Sequence, residues 1–303
     1  MSEEDDAAEE RGDMTMMCCA GCGKAEVDDI TLRKCNGCKS VRYCGVKCQR
    51  EHRSQHEEEC KKRAAELRDE ILFKQPESSH LGDCPICCLP LSIDPQKTNL
   101  SSCCSKYICI GCSHANDMRE LEQRLVPKCP FCRHPTPKTE DEGDKNRMKR
   151  IEVNDPVAMC EMGKEHYDEG DYEAAFEYLS KAAELGDVEA HFNLSVMYEE
   201  GTGVEKNEKK ELHHMEEAAI GGHPGARHNL GCAEWSNGNG ERAAKHFIIA
   251  ACLGQDNSME QLKSCFRSGL VSKEDFAAAL RGYQASIDAT KSPQRDAADA
   301  ART

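Results

Sequence analysis

Hydrophobic positions recur with a regular long period in the C-terminal half of the chain. Ala, Leu, Met and Gly repeat there at intervals that fit amphipathic helices. Met162, Leu194, Leu230 and Leu262 are spaced by 32, 36 and 32 residues. A period of this length with two helices per unit is typical of stacked helical repeats. The pattern therefore predicts an all-α solenoid of helix-turn-helix repeats over 154–290.

Each predicted repeat ends on a glycine, at Gly186, Gly222 and Gly254, three residues after an alanine that repeats with the same period. Glycine at that place fits a left-handed cap at the C-terminus of a helix. A divergent fourth unit follows. Ser272 with Asp275 then predicts the start of a last helix that closes the open end of the solenoid.

The polar segments predict connectors and tails. Residues 1–13 hold seven acids and one Arg, so we expect a disordered acidic tail over 1–15. Ala and Leu at helical spacing predict a helical connector over 61–79. No apolar periodicity is present in 137–153, which we interpret as a linker, and the Ala/Asp-rich end at 291–303 predicts a second disordered tail.

Cysteine use separates the N-terminal half from the solenoid. The chain has 21 cysteines, eight within 18–60 and nine within 84–132. The acidic start has no apolar run, which predicts no secretory signal and no oxidising compartment. Paired cysteines in a reducing compartment are metal ligands rather than disulfides, so we expect a cytoplasmic or nuclear protein. The sequence contains no run of 18 apolar residues, so we expect no membrane span.

Net charge bears on the class of partner. A formal charge of −15 argues against nucleic acid as a general partner, because phosphate binding needs a basic surface. The segment from Arg33 to Lys74 is locally basic, so charge alone leaves a nucleic-acid role open there.

The first cysteine cluster contains four ligand pairs, enough for two tetrahedral zinc ions. They are Cys19 and Cys22, Cys35 and Cys38, Cys44 and Cys48, and His56 and Cys60. Sequential and interleaved pairings both satisfy this count. Cys18 could replace Cys19 by a one-residue slip, although the two-residue spacing favours Cys19. His52 is interpreted as a surface residue.

This ligand pattern, with "RYCGVKCQ" at its centre, closely resembles the MYND zinc finger, and we assign 16–60 to it. The resemblance implies interleaved zinc sites. One site would use Cys19, Cys22, Cys44 and Cys48, and the other Cys35, Cys38, His56 and Cys60.

The same resemblance implies binding of short proline-containing peptides. Gln49 matches a peptide-binding position of the family, whereas Gly45 and Arg53 stand where it often has Ser and Trp. Losing Trp removes the main aromatic surface for stacking a proline. A peptide-binding finger and a purely structural finger therefore both remain open. No adenosylmethionine-type motif supports the methyltransferase activity of some family members.

The second cluster contains three C-x2-C pairs, Cys84/Cys87, Cys109/Cys112 and Cys129/Cys132, and the adjacent Cys103 and Cys104. Its "CPIC" start and "CPFCR" end resemble a RING finger, which we place at 80–136. Lys106 occupies the usual His position and has no free lone pair for a metal.

An all-cysteine variant that uses Cys103 and Cys104 completes the RING-like ligand set. The family's cross-brace then implies one zinc on Cys84, Cys87, Cys109 and Cys112, and another on Cys103, Cys104, Cys129 and Cys132. Four zinc ions are expected in the whole chain. Their filled coordination positions make them structural, so we predict no catalytic residue.

RING fingers mostly act as ubiquitin ligases that dock a ubiquitin-conjugating enzyme. By resemblance, Ile86, Pro130 and Arg133 occupy the docking positions. A structural or protein-binding finger is the alternative, because proline commonly rigidifies such zinc loops.

Within the solenoid, "YEEGTGV" and "EEAAIGGHPGARHNLG" resemble SEL-like tetratricopeptide repeats. Asn193 and Asn229 occupy equivalent positions and could line a peptide groove or make structural hydrogen bonds. The six histidines between 191 and 246 show no ligand spacing and are interpreted as solvated. The four remaining cysteines lack close partners and are expected to be buried small hydrophobes, namely Cys160, Cys232, Cys252 and Cys265.

The fold class expected is thus two small zinc-stabilised cross-brace fingers followed by an all-α solenoid. All three modules resemble protein-interaction modules, which favours an intracellular zinc-binding scaffold for proteins or peptides. One alternative is a ubiquitin ligase whose solenoid selects the substrate. Another is a transcriptional adaptor acting through the MYND-like finger.

Overall fold

The computed structural model describes residues 18–26 and 30–302. The predicted acidic tail at 1–15 lies outside the described residues. Two compact units divide the chain between Ile71 and Leu72.

The first unit is a small finger joined to a long helix. Strands β1 (Arg33–Lys34) and β2 (Arg42–Tyr43) form an antiparallel pair. Helix α1 (Val46–Leu72) follows and runs for 27 residues, because no Gly or Pro interrupts the sequence within it. The finger therefore shares one helix with the predicted connector, which is helical only as far as Leu72 and not over the whole of 61–79. Cys19, Leu32, Cys35, Cys38 and Tyr43 form the small core.

The second unit begins with another cysteine-rich module. A short 3₁₀ turn (Pro95–Lys97) leads into strands β3 (Thr98–Ser101) and β4 (Lys106–Cys109), which pair as an antiparallel hairpin. Helix α2 (Ile110–Glu122) follows directly. The core of this cysteine-rich module contains few apolar side chains besides the cysteines, chiefly Leu91 and Ile108. The module thus depends on its cysteines for most of its interior.

Helices in antiparallel pairs form the rest of this unit. They are α3 (Glu140–Glu152), α4 (Pro156–Asp168), α5 (Tyr172–Glu184), α6 (Val188–Glu200), α7 (Glu208–Ile220), α8 (Pro224–Ser236), α9 (Gly240–Cys252), α10 (Asp256–Arg267), α11 (Lys273–Ala289) and α12 (Pro293–Ala300). The predicted all-α solenoid is confirmed. Buried Ala, Leu and Met side chains fill the space between successive helices.

Local signals place the helix ends. Gly186, Gly222 and Gly254 have φ of 88°, 86° and 92°, which confirms the predicted left-handed caps. Ser272 Oγ accepts a hydrogen bond from Asp275 N–H at 3.0 Å, so the predicted start of α11 is also confirmed.

Two segments predicted to lack structure contain helices. In the predicted linker 137–153, Thr139 caps α3, whose first turn is acidic and whose last turn carries Lys149 and Arg150. These charges complement the helix dipole without any apolar periodicity. In the predicted tail 291–303, Ser292 caps α12 and Pro293 occupies its first position. The described part of this tail therefore differs from the expected disorder.

The histidines between 191 and 246 are not uniformly solvated, contrary to expectation. His246 is fully buried, and its ring lies 4.7 Å from that of Phe73. His223 is also buried, and its Nδ1 caps α8 by accepting a hydrogen bond from Ala226 N–H at 3.0 Å. Of the four isolated cysteines, Cys160 and Cys265 are buried as predicted, while the other two are half-buried.

Candidate metal centres and binding surfaces

The first tetrad in the finger brings together Cys19, Cys22, Cys44 and Cys48, whose sulfurs all lie within 4.8 Å of one another. Cys22 Sγ and Cys44 Sγ are 3.7 Å apart, and Cys44 Sγ and Cys48 Sγ are 3.5 Å apart. A zinc ion with Zn–S bonds of about 2.3 Å requires tetrahedral S–S edges of about 3.8 Å. A disulfide would need only about 2.05 Å. The tetrad therefore fits zinc and excludes a disulfide.

The second tetrad combines Cys35, Cys38, His56 and Cys60. Cys35 Sγ lies 3.7 Å from Cys60 Sγ, and Cys38 Sγ lies 3.2 Å from His56 Nε2. Helix α1 brings His56 and Cys60 to one face, one turn apart. The opening pairs of the finger thus do not close on each other, and the arrangement is the interleaved one.

Backbone N–H groups favour thiolates in both tetrads. Burial raises the pKa of Cys19, but hydrogen bonds from the N–H groups of Cys44, Cys22 and Gly21 outweigh it and bring the pKa to about 6. Burial likewise opposes ionisation of Cys38, yet hydrogen bonds that its sulfur accepts from the N–H groups of Ser40 and Val41, together with the one to the His56 ring, lower the pKa to about 6. Other thiols of the same tetrads shift the opposite way, since hydrogen bonding to Cys44 raises the pKa of Cys48 to about 12 and burial raises that of Cys60 to about 11. The backbone donors therefore favour a thiolate at some ligands of each tetrad, and zinc binding must displace the protons of the others.

Two residues near these tetrads do not join them. Cys18 is exposed and pairs through its backbone with Ala25, so the ligand is Cys19 rather than its neighbour. His52, expected on the surface, is half-buried. Its Nδ1 lies 3.1 Å from Tyr43 Oη, and its ring stacks on His56 at 5.7 Å. His52 thus supports a ligand side chain from outside the tetrad.

The second module carries two further tetrads, each matching a predicted ligand set. Cys84, Cys87, Cys109 and Cys112 form one, with Cys87 Sγ and Cys109 Sγ 3.8 Å apart. Cys103, Cys104, Cys129 and Cys132 form the other, with Cys103–Cys132 and Cys104–Cys129 sulfur distances of 3.3 and 3.9 Å. Two of these distances match the S–S edge of a zinc tetrahedron, and the Cys103–Cys132 distance is shorter than that edge by about 0.5 Å.

A tight turn lets the adjacent cysteines reach one centre. Ser105 has φ of 52°, and its N–H bonds to the carbonyl of Ser101 at 2.8 Å. This turn joins β3 to β4 and points the sulfurs of Cys103 and Cys104 toward the loop of Cys129 and Cys132. Lys106, at the position of the missing histidine, begins β4 outside the tetrad.

A groove borders the second tetrad of the first unit and encloses about 580 Å³. Tyr43, Val46 and Gln49 line it together with Arg50 and Arg53. Val46 is 67% exposed, which leaves an apolar side chain open to solvent beside two cations. Lys61 and Glu57 also line the groove and form an ion pair of 2.7 Å. Lys61, and to a smaller extent Arg53, lower the pKa of that carboxyl. Gln49 therefore occupies a groove with an apolar floor and a basic rim.

The predicted docking residues of the second module differ in accessibility. Ile86 is 41% exposed, and its counterpart on the other zinc loop is Phe131, which is 43% exposed beside a half-buried Pro130. Arg133 is already engaged, since its guanidinium donates to Asn116 Oδ1 at 2.8 Å and to Glu120 Oε1 at 2.9 Å.

Glu120 is 2% exposed and also accepts a hydrogen bond from Lys128 N–H at 2.9 Å. This bond and the one from Arg133 lower the pKa of Glu120. The carboxylate thus joins α2 to the last zinc loop.

One further group of ligand-type side chains contains His80, Glu189 and His223. Both imidazole Nε2 atoms lie 3.2 Å from Glu189 Oε2. Because His223 Nδ1 accepts from Ala226 N–H, its Nε2 carries the proton and donates it to Glu189. A metal would need a free lone pair on His223 Nε2, but that nitrogen carries the proton. We therefore interpret the group as a hydrogen-bonded cluster. Sequence reasoning missed it, because its members come from three distant segments.

Asn193, left open between a groove and a structural role, donates its amide to the carbonyl of Glu189 at 2.7 Å. That contact favours the structural role. Among the described residues, no helix combines the length and the apolar character needed to cross a membrane.

Comparison with known families agrees with this architecture. Residues 19–60 match the MYND finger, and 156–187, 188–223 and 226–255 match the Sel1 repeat. The predicted MYND and SEL-like modules are confirmed. The cluster at 84–132 lies outside these matched segments, so its RING-like character stays a prediction. A MYND finger with Sel1 repeats indicates a protein-interaction scaffold, and the finger implies zinc.

Individual similar proteins cover only parts of the chain. HcpC of Helicobacter pylori strain J99, named as a candidate beta-lactamase, is 43% identical over 56 residues, which are 18% of this chain and 19% of that protein. The chain thus spans about a fifth of this relative.

Two crystal structures of repeat proteins are similar to parts of this chain. A Sel1 repeat protein from Oxalobacter formigenes has a TM-score of 0.42 at 23% identity, over 59% of this chain and 72% of that one. A protective antigen of uropathogenic Escherichia coli with an SLR fold has a TM-score of 0.40 at 22% identity, over 50% and 34%.

Proposed function

We propose that this protein is a zinc-stabilised adaptor whose MYND finger captures a short acidic peptide that carries an apolar residue. The observation that supports this most strongly is the groove around Gln49. An apolar side chain would cover Val46 and Tyr43, while carboxylates would meet Arg50 and Arg53. Zinc supplies the folding free energy that holds these loops in place.

Arg53 stands where the MYND family often has tryptophan, and this difference determines which peptide side chains the groove favours. A tryptophan there would stack on proline, whereas a guanidinium attracts carboxylates and binds them with two parallel hydrogen bonds. The finger therefore favours peptides with negatively charged side chains, in addition to the extended backbone typical of proline-rich ligands. The solenoid supplies a second surface for a protein partner.

Titration of zinc-loaded protein with two labelled peptides tests this function. The peptides share a proline-containing core and differ only in having acidic or amide side chains at the flanks. We expect tighter binding of the acidic peptide, weakened by salt. Gln49→Ala should weaken both peptides, Arg53→Glu should weaken the acidic one selectively, and Arg53→Trp should favour the amide one. Equal binding of both peptides would remove the acidic selectivity, and absence of any binding would remove the peptide function.

A second candidate function is ubiquitin-ligase activity of the 80–136 module. Exposed Ile86 and Phe131 on the two zinc loops favour it, because a conjugating enzyme docks on apolar residues at such loops. Autoubiquitination with a panel of conjugating enzymes tests it. Ile86→Ala should lower transfer about tenfold, from loss of up to roughly 2 kcal/mol of apolar contact. Lack of transfer by the fully zinc-loaded protein would leave the adaptor function alone.

A further inference from the structure

The C-terminal helix α12 lies against the first zinc loop of the second module. Arg295 is 6% exposed and Ala298 is 2% exposed, so one face of this short helix is buried. Arg295 Nη1 donates to the carbonyls of Pro90 at 2.7 Å and Thr290 at 2.8 Å. One side chain therefore connects the end of the chain with a loop about two hundred residues earlier.

The second guanidinium nitrogen of Arg295 reaches the metal-binding loop itself. Its Nη2 donates to the carbonyl of Leu89 at 3.2 Å and lies 3.4 Å from Cys87 Sγ. Cys87 belongs to the tetrad with Cys84, Cys109 and Cys112. Arg295 thus contacts a zinc-type ligand as a hydrogen-bond donor.

The module is shaped for this contact. A Cβ at Gly111 would lie 2.9 Å from both Arg295 Cγ and Arg295 N, so helix α2 admits α12 only because this residue is glycine. Around the contact, Lys97 Nζ lies 3.7 Å from Asp299 Oδ2, and Arg302 donates to the carbonyl of Gln96. Docking of α12 is therefore specific to this face of the module.

The negative charge of a four-thiolate zinc centre explains why a cation beside it is favourable. Four thiolates and one Zn²⁺ carry a net charge of about −2, which donors around the ligands must offset. In the other tetrad of the module, Cys129 Sγ lies 3.5 Å from the neutral Ser101 hydroxyl. Within the described residues, no Lys or Arg side chain hydrogen-bonds a sulfur of that tetrad. The two centres of the module thus differ in whether a cation supports them.

We propose that Arg295 is an outer-shell partner of the Cys84–Cys87–Cys109–Cys112 zinc centre and that docking of α12 is coupled to zinc retention there. The guanidinium stabilises the metal-bound thiolates, and the metal-ordered loop presents the carbonyls that hold the guanidinium. Each event therefore favours the other to the same extent. Helix α12 acts as a zinc-dependent clasp between the module and the end of the solenoid.

Zinc release from the full chain into a chromogenic chelator tests the first half of this coupling. Arg295→Gln should weaken zinc affinity at this centre by roughly 10- to 100-fold, the effect typical of outer-shell partners. We therefore expect faster release of about one zinc per chain, with the other release phases unchanged. Arg295→Lys should be intermediate, because it keeps the charge without the fork. Arg281→Gln is the control, since it removes an exposed guanidinium of α11 and leaves both α12 and the tetrad untouched.

Hydrogen exchange tests the reverse direction. Cys84→Ser disables the centre without touching α12, and we expect loss of amide protection at Asp296 and Ala298. Truncation after Lys291 should reproduce the fast zinc release, which covers the case in which Arg295→Gln misfolds. The proposal is overturned by wild-type release in both Arg295→Gln and the truncation, by intact α12 protection in Cys84→Ser, or by absence of zinc at this tetrad in the wild type.

Discussion

At the residue scale, the adjacent Cys103 and Cys104 both place their sulfurs in one tetrad, whereas the exposed Cys18 and Cys88 lie next to tetrad residues and belong to no tetrad. Cys104→Ser should therefore remove about one zinc per chain, because a tetrahedral site loses a thiolate that no nearby side chain replaces. Cys18→Ser and Cys88→Ser should leave the metal content unchanged. Elemental analysis of purified protein measures all three. Full zinc in Cys104→Ser would show that Cys103 alone serves the site.

His223 offers a second test, because it both caps α8 and donates to Glu189. His223→Ala should lower the free energy of unfolding by about 1 kcal/mol through loss of the cap alone. His223→Asn keeps a capping oxygen and should recover most of that loss. Chemical denaturation of the matched pair measures the difference. Equal stability of the two variants would contradict the capping role.

The same residue predicts a pH dependence. Burial lowers the pKa of His223 below its ordinary value of 6.5, with Glu189 opposing that shift. The folded state therefore binds fewer protons than the unfolded state just below pH 6.5, and stability falls as the pH drops through that region. The free energy of unfolding of the wild type, minus that of His223→Asn, should therefore fall on acidification. Zinc loss at low pH lowers both values alike and cancels from this difference. A difference that grows instead would reverse the sign of this linkage.

At the element scale, α1 contributes to both zinc centres of the finger. It supplies Cys48 to one tetrad and His56 with Cys60 to the other. Glu58 lies between the ligands His56 and Cys60. Glu58→Pro removes a backbone hydrogen bond of the helix at this point, which costs about 3 kcal/mol of helix stability. We expect loss of about one zinc per chain, from the centre of His56, with the centre of Cys48 retained.

Glu58→Ala, at the same exposed position, should keep all the metal. Zinc counting by elemental analysis, with Cys44→Ser to identify the remaining centre, distinguishes the two tetrads. Loss of both ions from Glu58→Pro would mean that the centres fold as one cooperative unit.

The sequence predicted elements well where a periodic or capping signal existed. The repeat period, the three glycine caps and the Ser272 start all match the structure. Helices α3 and α12 were missed because neither has an apolar period. The signals that could have found them were Thr139 before three acids and Ser292 before a proline.

The sites divide in the same way. Ligand pairs are local in sequence and could be listed from spacing, while their interleaving came only from resemblance to a family. Long-range contacts left no sequence signal. Arg227 is fully buried and donates to the carbonyl of Leu72, and Arg133 is bound by Glu120. Such pairings depend on how distant segments pack, which residue types alone do not specify.

At the scale of the whole molecule, zinc and apolar packing stabilise different parts. The repeats bury their own clusters and contain no zinc tetrad, whereas the module at 80–136 belongs to the same compact unit. A fragment of residues 154–292 should therefore remain helical in chelator, but melt below the zinc-loaded chain of residues 72–303. Circular dichroism melts with and without chelator measure this. Loss of helix in the chelated fragment would refute independent folding of the repeats.

Interleaving also fixes how the finger responds to a cut in its backbone. One centre closes the loop from Cys19 to Cys48 and the other the loop from Cys35 to Cys60, so the two loops overlap between 35 and 48. Each metal acts as a cross-link that restricts the unfolded chain. A protease that cleaves between Cys38 and Cys44 leaves two fragments still joined through both ions. The finger would therefore come apart only when both metals leave, whatever the state of the peptide bond between them.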